Sequence, residues 1–215
     1  MRLIIVAATG GIGRELVRQA EHAGHDVVPI SRSGTDGVRM DLSDPDTDLL
    51  DTTIKGADAV LSGLGARTRA DEGVATRGTR AVIAAMQATG VRRLVVVSAA
   101  PLGTVPSPDR PHPPRHDPGD GVFMRHLGAP FARTMFGTHY ADLAGMEDSV
   151  RASGLDWTIA RPPKLDDRPL TGRYRTALDR NVRGGFAISR ADVAHQMLRC
   201  LDQPETIAHT VGMAR

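Results

Sequence analysis

The residues with the clearest chemical potential lie in the segment AATGGIG, at positions 7–13. This segment follows a short apolar run and precedes apolar residues at helical spacing. In that context glycine lets a phosphate approach the backbone, and the free amides of a helix N-terminus bind it. The segment therefore predicts a dinucleotide pyrophosphate site, with an ordinary strand-to-helix turn as the alternative. The expected contacts come from Ala8, Thr9, Gly10, Gly11, Ile12 and Gly13.

A second polar group, Ser31, Arg32 and Ser33, follows the second apolar run. Folds that bind NAD usually carry an acidic residue at this place to bond the ribose diol. This chain has an arginine between serines instead, which suits a 2′-phosphate by charge and bidentate geometry. We therefore expect NADP(H) in preference to NAD(H), with a surface arginine as the alternative.

Asp41 and Leu42 end the third apolar run. An aspartate at that place can reach the adenine amino group, and a turn-forming aspartate is the alternative. The fourth run ends in Gly63, Leu64 and Gly65, whose glycines would let a cofactor lie close over the strand ends.

Ser98 ends the fifth apolar run and is followed by Ala99. We expect both residues near the nicotinamide. The Ser98 hydroxyl would bond the carboxamide or a substrate carbonyl, which makes Ser98 a catalytic candidate. A structural serine is the alternative.

The elements that must position these residues alternate along the chain. Strands are predicted at 2–7, 25–30, 38–42, 57–64, 93–99 and 155–160, with an edge strand at 207–211. Helices are predicted at 12–23, 74–89 and 139–153, with a weak helix ending near 56 and a last helix from Ser189 to about Leu201. Because the strands are apolar on both faces, the pattern indicates an α/β fold with a parallel sheet covered on both sides.

Composition narrows the class of protein. The 215 residues suit a single domain at 1–215, and the single cysteine, Cys200, excludes an intramolecular disulfide framework and favours a cytoplasmic location. A net charge of +2 and 3% aromatic residues argue against nucleic-acid binding, and no run suits a membrane span. His112 and His116 lack acidic ligands at helical spacing, so no metal site is predicted.

Several stretches together resemble one known family. They are AATGGIGRELV, SRS, MDLSD, VLSGLG, GVRRLVVVSA, MEDSVRASGLDWTIARPPKL and ISRADVA. The chain is similar to atypical, extended-type short-chain dehydrogenase/reductases of the NAD(P)H-binding group, which contains NmrA-like and flavin reductase/biliverdin reductase B-type proteins. The resemblance implies a doubly wound Rossmann-type sheet with strand order 3-2-1-4-5-6. It also implies that the turn at Arg161, Pro162 and Pro163 lies beside the nicotinamide. Arg161 is either an anion ligand or part of a helix-to-sheet salt bridge.

The chain departs from the family pattern at three positions. Ala7 stands where the glycine loop usually begins with glycine, which tightens the first turn and is expected to weaken cofactor binding. Tyr140 is the candidate for the catalytic tyrosine of a Tyr-x-x-x-Lys pair, but Ala144 replaces the lysine that would lower the tyrosine pKa. Leu143 takes the place of a histidine found in the flavin/biliverdin reductase type.

Two insertions, 101–136 and 164–188, are expected on the substrate side. Residues 101–118 hold half of the 14 prolines, and the first insertion should form a small lid lined by Met124, Phe131, Met135 and Phe136. The function favoured is NADPH-dependent reduction of a flavin, quinone or tetrapyrrole by a monomer or homodimer. The alternative is a regulatory protein that binds NADP(H) without turnover, and sugar epimerase chemistry is disfavoured because the Tyr/Lys pair is missing.

Overall fold

The computed structural model describes residues 1–34, 37–66, 68, 71–119 and 137–215. Strands and helices alternate through most of these residues. The strands are β1 (Arg2–Val6), β2 (Asp26–Ser31), β3 (Val38–Arg39), β4 (Ala59–Ser62), β5 (Arg93–Val97), β6 (Asp156–Arg161), β7 (Lys164–Asp166), β8 (Arg175–Leu178), β9 (Ala187–Ser189) and β10 (His209–Ala214). The helices are α1 (Gly11–His22), α2 (Thr47–Ile54), α3 (Val74–Thr89), α4 (Gly137–Ala152) and α5 (Arg190–Arg199), joined in places by short 3-10 turns.

The main sheet has the order β3-β2-β1-β4-β5-β6-β10-β8. Each pair from β3 to β10 is parallel, and β8 is antiparallel to β10. The predicted α/β class and the strand order 3-2-1-4-5-6 are therefore confirmed. The last predicted strand was placed wrongly at an edge, because β10 lies between β6 and β8.

The central strands are buried on both faces, as their apolar runs predict. On β1, Leu3 and Ile5 pack with α1 and α5, whereas Ile4 and Val6 face the core formed with α2, α3 and α4. All four side chains are completely buried. This alternation places two helices on one face of the sheet and three on the other, so the carboxyl ends of the strands remain available for a site.

Two predictions about the less regular segments were wrong. Only Val38–Arg39 of the predicted strand at 38–42 pairs with β2. The segment 164–188, in which no strand was predicted, contains β7 and β8 and reaches β9, and β7 pairs with β9 in a separate small sheet. Strand β8 was not predicted because it is largely exposed and its sequence shows no apolar alternation.

Residues 101–119, the described part of the first insertion, form a strap against α4. The Ser107 hydroxyl donates to Asp148 of α4 (2.9 Å), and the Asp109 amide donates to the same carboxylate (3.1 Å). The Asn181 amide in turn donates to Asp117 of the strap (2.8 Å). The lid residues Met124, Phe131, Met135 and Phe136 lie outside the described residues, so the lid stays a prediction.

Helix α3 begins with a carboxylate supplied by α4. Gly73 precedes α3 without a side-chain cap, and Asp142 accepts hydrogen bonds from the amides of Ala75 (3.0 Å) and Thr76 (2.9 Å). The Thr76 hydroxyl donates back to the Asp142 carbonyl (2.7 Å). These bonds satisfy amides that a helix leaves unpaired and also favour the helix dipole. They fix α3 and α4 together on one side of the site.

We expect Asp142→Ala to lower the free energy of unfolding by about 1–2 kcal/mol, because a helix cap is lost and buried amides remain unpaired. Urea denaturation followed by circular dichroism measures the change. Asp44→Ala, at an exposed position in the turn before α2, is the matched control and should leave stability unchanged. Equal unfolding midpoints for wild type and Asp142→Ala would contradict the cap.

Candidate functional site

The predicted site residues meet along the carboxyl edge of the sheet. The register places Val6, Ser62 and Val96 side by side, and Val97 beside Ala160. The segments that follow β1, β2, β4, β5 and β6 therefore leave the sheet at one level. This edge is the usual ligand site of an open α/β sheet, next to the point where the strand order reverses.

The glycine loop holds α1 unusually close to β1. A side-chain carbon at Gly13 would lie 2.2 Å from the Ala7 carbonyl oxygen, so only glycine fits. Gly10 precedes α1 at the N-cap position and provides no side-chain hydrogen bond, and no acidic residue lies in the first turn. The first amides of α1 are therefore placed to receive an anion from the edge of the sheet. The cradle fits the pyrophosphate predicted from the sequence.

Ala7 has a left-handed backbone conformation, with φ +59°. Its carbonyl accepts a hydrogen bond from the Gly10 amide (2.8 Å), which closes the turn. A left-handed conformation costs a residue with a β-carbon roughly 1–2 kcal/mol. Ala7 therefore replaces the family's usual glycine at a position where glycine would adopt the same backbone conformation with less strain.

A pocket lies between the end of β2, the glycine loop and the start of α3. Its floor is apolar, with Ile30 and Leu42 almost fully buried. Such a slot suits the flat adenine ring of a dinucleotide. Seven predicted residues line it: Thr9, Ser31, Arg32, Asp41, Leu42, Leu64 and Gly65.

Arg32 lies at the rim of this pocket and pairs with Asp71. Its Nη1 atom is 2.7 Å from Asp71 Oδ1, and the two side chains are 54% and 12% exposed. Asp71 also accepts from the amide and hydroxyl of Thr68 (both 3.1 Å), which fixes the carboxylate. The guanidinium is therefore held over the pocket by a partner that the sequence did not reveal.

The neighbouring polar residues already have local hydrogen bonds. Ser31 accepts from the Gly34 amide (3.1 Å), and its hydroxyl lies 3.3 Å from that of Ser33. Asp41 accepts from the amide and hydroxyl of Ser43 (2.9 and 2.8 Å), and these bonds hold the pKa of its carboxyl below the usual value. Asp41 thus forms the turn considered in the sequence and also lines the pocket.

A buried ionic network lies at the other end of the edge. Ser98 donates to Glu147 Oε1 (2.7 Å), and Arg161 donates to both oxygens of the same carboxylate (2.8 and 2.5 Å). Arg151 adds a further bond to Glu147 (2.7 Å). Glu147 is completely buried. The side chain of Arg161 is thus in the helix-to-sheet salt bridge, one of the two roles considered for it.

Glu147 remains charged in this network. Burial alone would raise the pKa of Glu147, but the charge and hydrogen bonds of Arg161, helped by Arg151 and Ser98, hold the pKa below its usual value. A carboxylate has no proton to give, so the Ser98 hydroxyl must be the donor. The oxygen of Ser98 is then left to accept a hydrogen bond from a ligand.

The other residues predicted to lie beside the nicotinamide follow β5 and β6. Ala99 follows Ser98 and is half-buried. The amide of Ala100 donates to the carbonyl of Pro162 (2.9 Å), and this bond joins the segments that follow β5 and β6, next to Pro163. On the β4 side, the Gly63 amide donates to the Val6 carbonyl (3.0 Å).

Tyr140, in the first turn of α4, is half-buried against the core. Burial raises the pKa of its hydroxyl, the opposite of what a catalytic tyrosine needs. The residues one turn later, Leu143 and Ala144, are buried and apolar.

A family model described as NAD(P)H-binding matches residues 7–204 of the chain. The protein belongs to this NAD(P)H-binding family. The family resemblance expected from the motifs is confirmed, and a nicotinamide dinucleotide is the cofactor that the family binds.

Two relatives from Bacillus subtilis (strain 168) are similar over nearly their whole length. YwnB, an uncharacterized protein, is 26% identical, covering 95% of this chain and 94% of its own. YhfK, an uncharacterized sugar epimerase, is 27% identical, covering 96% of this chain and 90% of its own.

Solved structures share the fold. SP1627 of Streptococcus pneumoniae TIGR4, proposed to be an NADH-flavin reductase, has a TM-score of 0.74 and 23% identity, and the match covers 100% of this chain and 99% of that chain. ChuY of Escherichia coli O157:H7, an anaerobillin reductase, has a TM-score of 0.72 and 20% identity, covering 99% and 97%. At these identities the likeness shows the fold alone.

None of the helices in the described part of the chain is both long and apolar enough to cross a membrane. No group of three or more potential metal ligands occurs within those same residues.

We expect Ala7→Gly to raise the free energy of unfolding by about 0.5–1 kcal/mol, because relief of the left-handed strain outweighs the added chain entropy. Ala8→Gly, the same change one residue later at a position without positive φ, should lower it by a similar amount. Thermal and urea denaturation measure both. A loss of stability in both variants would contradict the strain at Ala7.

We expect Glu147→Gln to cost about 3 kcal/mol or more near neutral pH, because it leaves Arg161 buried without a counter-charge. The folded-state pKa of Glu147 is depressed, so its contribution is present above the usual carboxyl pKa and is lost as the pH falls. The stability gap to wild type should therefore narrow in acid. Glu205→Gln, at an exposed position, is the control, and an equal change in both variants would refute the network.

Proposed function

We propose that the protein is an NADPH-dependent reductase of a conjugated small-molecule acceptor such as a flavin, quinone or tetrapyrrole. The observation that carries this proposal is the arrangement along one sheet edge. Arg32 lies at the rim of a pocket with both polar and apolar lining residues, the glycine loop follows, and Ser98 lies at the other end of the edge, in a chain without a Tyr-x-x-x-Lys pair. The names of SP1627 and ChuY, which share the fold, support this class of acceptor.

The chain's own residues would bind and orient the reactants. The first amides of α1 would hold the pyrophosphate. Arg32 would release Asp71 and pair with the 2′-phosphate instead. The preference for NADP(H) rests on this exchange. The bound nicotinamide would supply hydride to the acceptor.

Ser98 would act as a hydrogen-bond acceptor. Since its proton is directed to the Glu147 carboxylate, its oxygen suits the amide N–H of a carboxamide better than a substrate carbonyl. Ser98 would therefore orient the nicotinamide and leave protonation to another source. Tyr140 has a raised pKa and no lysine one turn away, so we assign the proton to solvent. Conjugated acceptors tolerate this, because hydride transfer does not require a dedicated acid on the protein.

The same observations bear on the other candidate functions. A non-catalytic NADP(H) sensor would equally lack a positioned acid, so a measurement of turnover distinguishes the sensor from the reductase. Epimerase chemistry, suggested by the name of YhfK, would need an acid-base pair to replace the missing tyrosine and lysine. Leu143 and Ala144, one helical turn after Tyr140, are buried and apolar, so neither side chain can act as an acid or a base.

The deciding experiment offers purified protein NADPH with FMN, a quinone or biliverdin and follows the loss of NADPH absorbance. A reductase oxidises NADPH only when one of these acceptors is present. Binding of NADPH without oxidation by any acceptor would replace the reductase by the sensor.

We expect Arg32→Ala to weaken NADPH binding by about tenfold or more and to change NADH binding by less than about twofold, because only NADPH carries the 2′-phosphate. Asp71→Asn, which releases Arg32, is the matched variant and should tighten NADPH binding selectively. Nicotinamide fluorescence titrations measure all four affinities. Equal losses for both nucleotides in Arg32→Ala would remove Arg32 from 2′-phosphate recognition.

A further inference from the structure

Gly11 makes room for an arginine from the far end of the chain. A side-chain carbon at Gly11 would lie 2.5 Å from Cδ and 2.7 Å from Nε of Arg190. Real side-chain carbons do not approach other atoms so closely. The stem of Arg190 therefore lies directly on the backbone of the glycine loop, at the first residue of α1. A side chain at Gly11 would displace the arginine stem, whereas a side chain at Gly13 would meet the backbone carbonyl of Ala7.

The backbone of Arg190 is firmly placed. Ser189 caps α5 by accepting a hydrogen bond from the Asp192 amide (3.0 Å), and Arg190 is the first residue of that helix. Helix α5 lies beside α1, where Gln19 donates to the carbonyl of Ala191 (2.9 Å). The first residues of the two helices, Gly11 and Arg190, also lie in contact. The position of Arg190 over the loop follows from this packing.

The charge balance around Arg190 favours an additional anion. Its Nη1 atom pairs with Asp167 (2.6 Å), whose side chain is 87% exposed, and exposed ion pairs contribute little. The first turn of α1 has no acidic residue, so the guanidinium lies beside the positive end of a helix dipole. An anion at the glycine loop would be attracted both by the Arg190 guanidinium and by the positive end of the α1 dipole. A guanidinium can also bind two phosphate oxygens at once.

We propose that Arg190 is a pyrophosphate ligand, which exchanges Asp167 for the dinucleotide when the cofactor binds. This inference rests on the proposed cofactor site and assigns it a second cation. Arg32 would read the 2′-phosphate that distinguishes NADPH, whereas Arg190 would bind the diphosphate that NADH and NADPH share. The two arginines therefore predict different patterns of loss across a set of nucleotides.

The test uses Arg190→Met, which keeps the stem on Gly11 and removes the charge. Calorimetric titrations measure binding of NADPH, NADH, ADP-ribose and adenosine 2′-monophosphate to the full chain. We expect affinity for the three pyrophosphate compounds to fall by about tenfold each, and affinity for the monophosphate to change by less than about twofold. Arg199→Met, at the opposite end of α5, is the matched control and should bind all four like wild type.

Asp167→Asn provides the complementary measurement. Because it removes the anion that competes with pyrophosphate, it should tighten binding of ADP-ribose by about two- to fivefold at low salt. Wild-type affinity for ADP-ribose in Arg190→Met, with native circular dichroism, would overturn the proposal. Failure of wild type to bind any of the four nucleotides would instead refute the proposed cofactor site, so the two failures are distinguishable.

Discussion

The contact between Gly13 and the Ala7 carbonyl sets the geometry on which the site depends. Because a side-chain carbon would lie 2.2 Å from that oxygen, the approach of α1 to β1 is open only to glycine. This approach places the N-terminus of α1 at the level of the other strand ends. It also creates the strained turn at Ala7 (φ +59°) and brings α1 into position beside α5. The pocket on one side and Arg190 on the other both follow from it.

The two ends of the edge use charge in different ways. At the end formed by β2 and the glycine loop, Arg32 and Asp71 form a partly exposed ion pair, which the proposed 2′-phosphate would enter. At the other end, Glu147 is buried and shared by Arg161, Arg151 and Ser98. That carboxylate ties α4 to β6 and fixes the direction of the Ser98 proton. In the proposed function, the ion pair at the first end would exchange partners, and the network at the second end would hold the nicotinamide ring in a fixed orientation.

The sequence predicted the elements that are buried and the residues that end them. Seven of the eight described strands of the main sheet were predicted, and apolar runs mark the central ones because a strand covered on both faces needs apolar residues throughout. The exposed β8 gave no such signal. The partners of the site residues were also missed, since Asp71 lies 39 positions from Arg32 and Glu147 lies 49 positions from Ser98. A single sequence shows that Arg161 needs an anion, but only the packing of α4 on β6 shows which one.

Binding of a nicotinamide dinucleotide at this edge is tested most directly by titrating the wild-type protein with NADPH and following nicotinamide fluorescence. We expect a saturable change with one dinucleotide bound per chain, reversed by excess ADP-ribose. An unchanged fluorescence spectrum with both NADPH and NADH, together with no heat of binding, would contradict it. In that case the strain at Ala7 would have closed the glycine loop to phosphate.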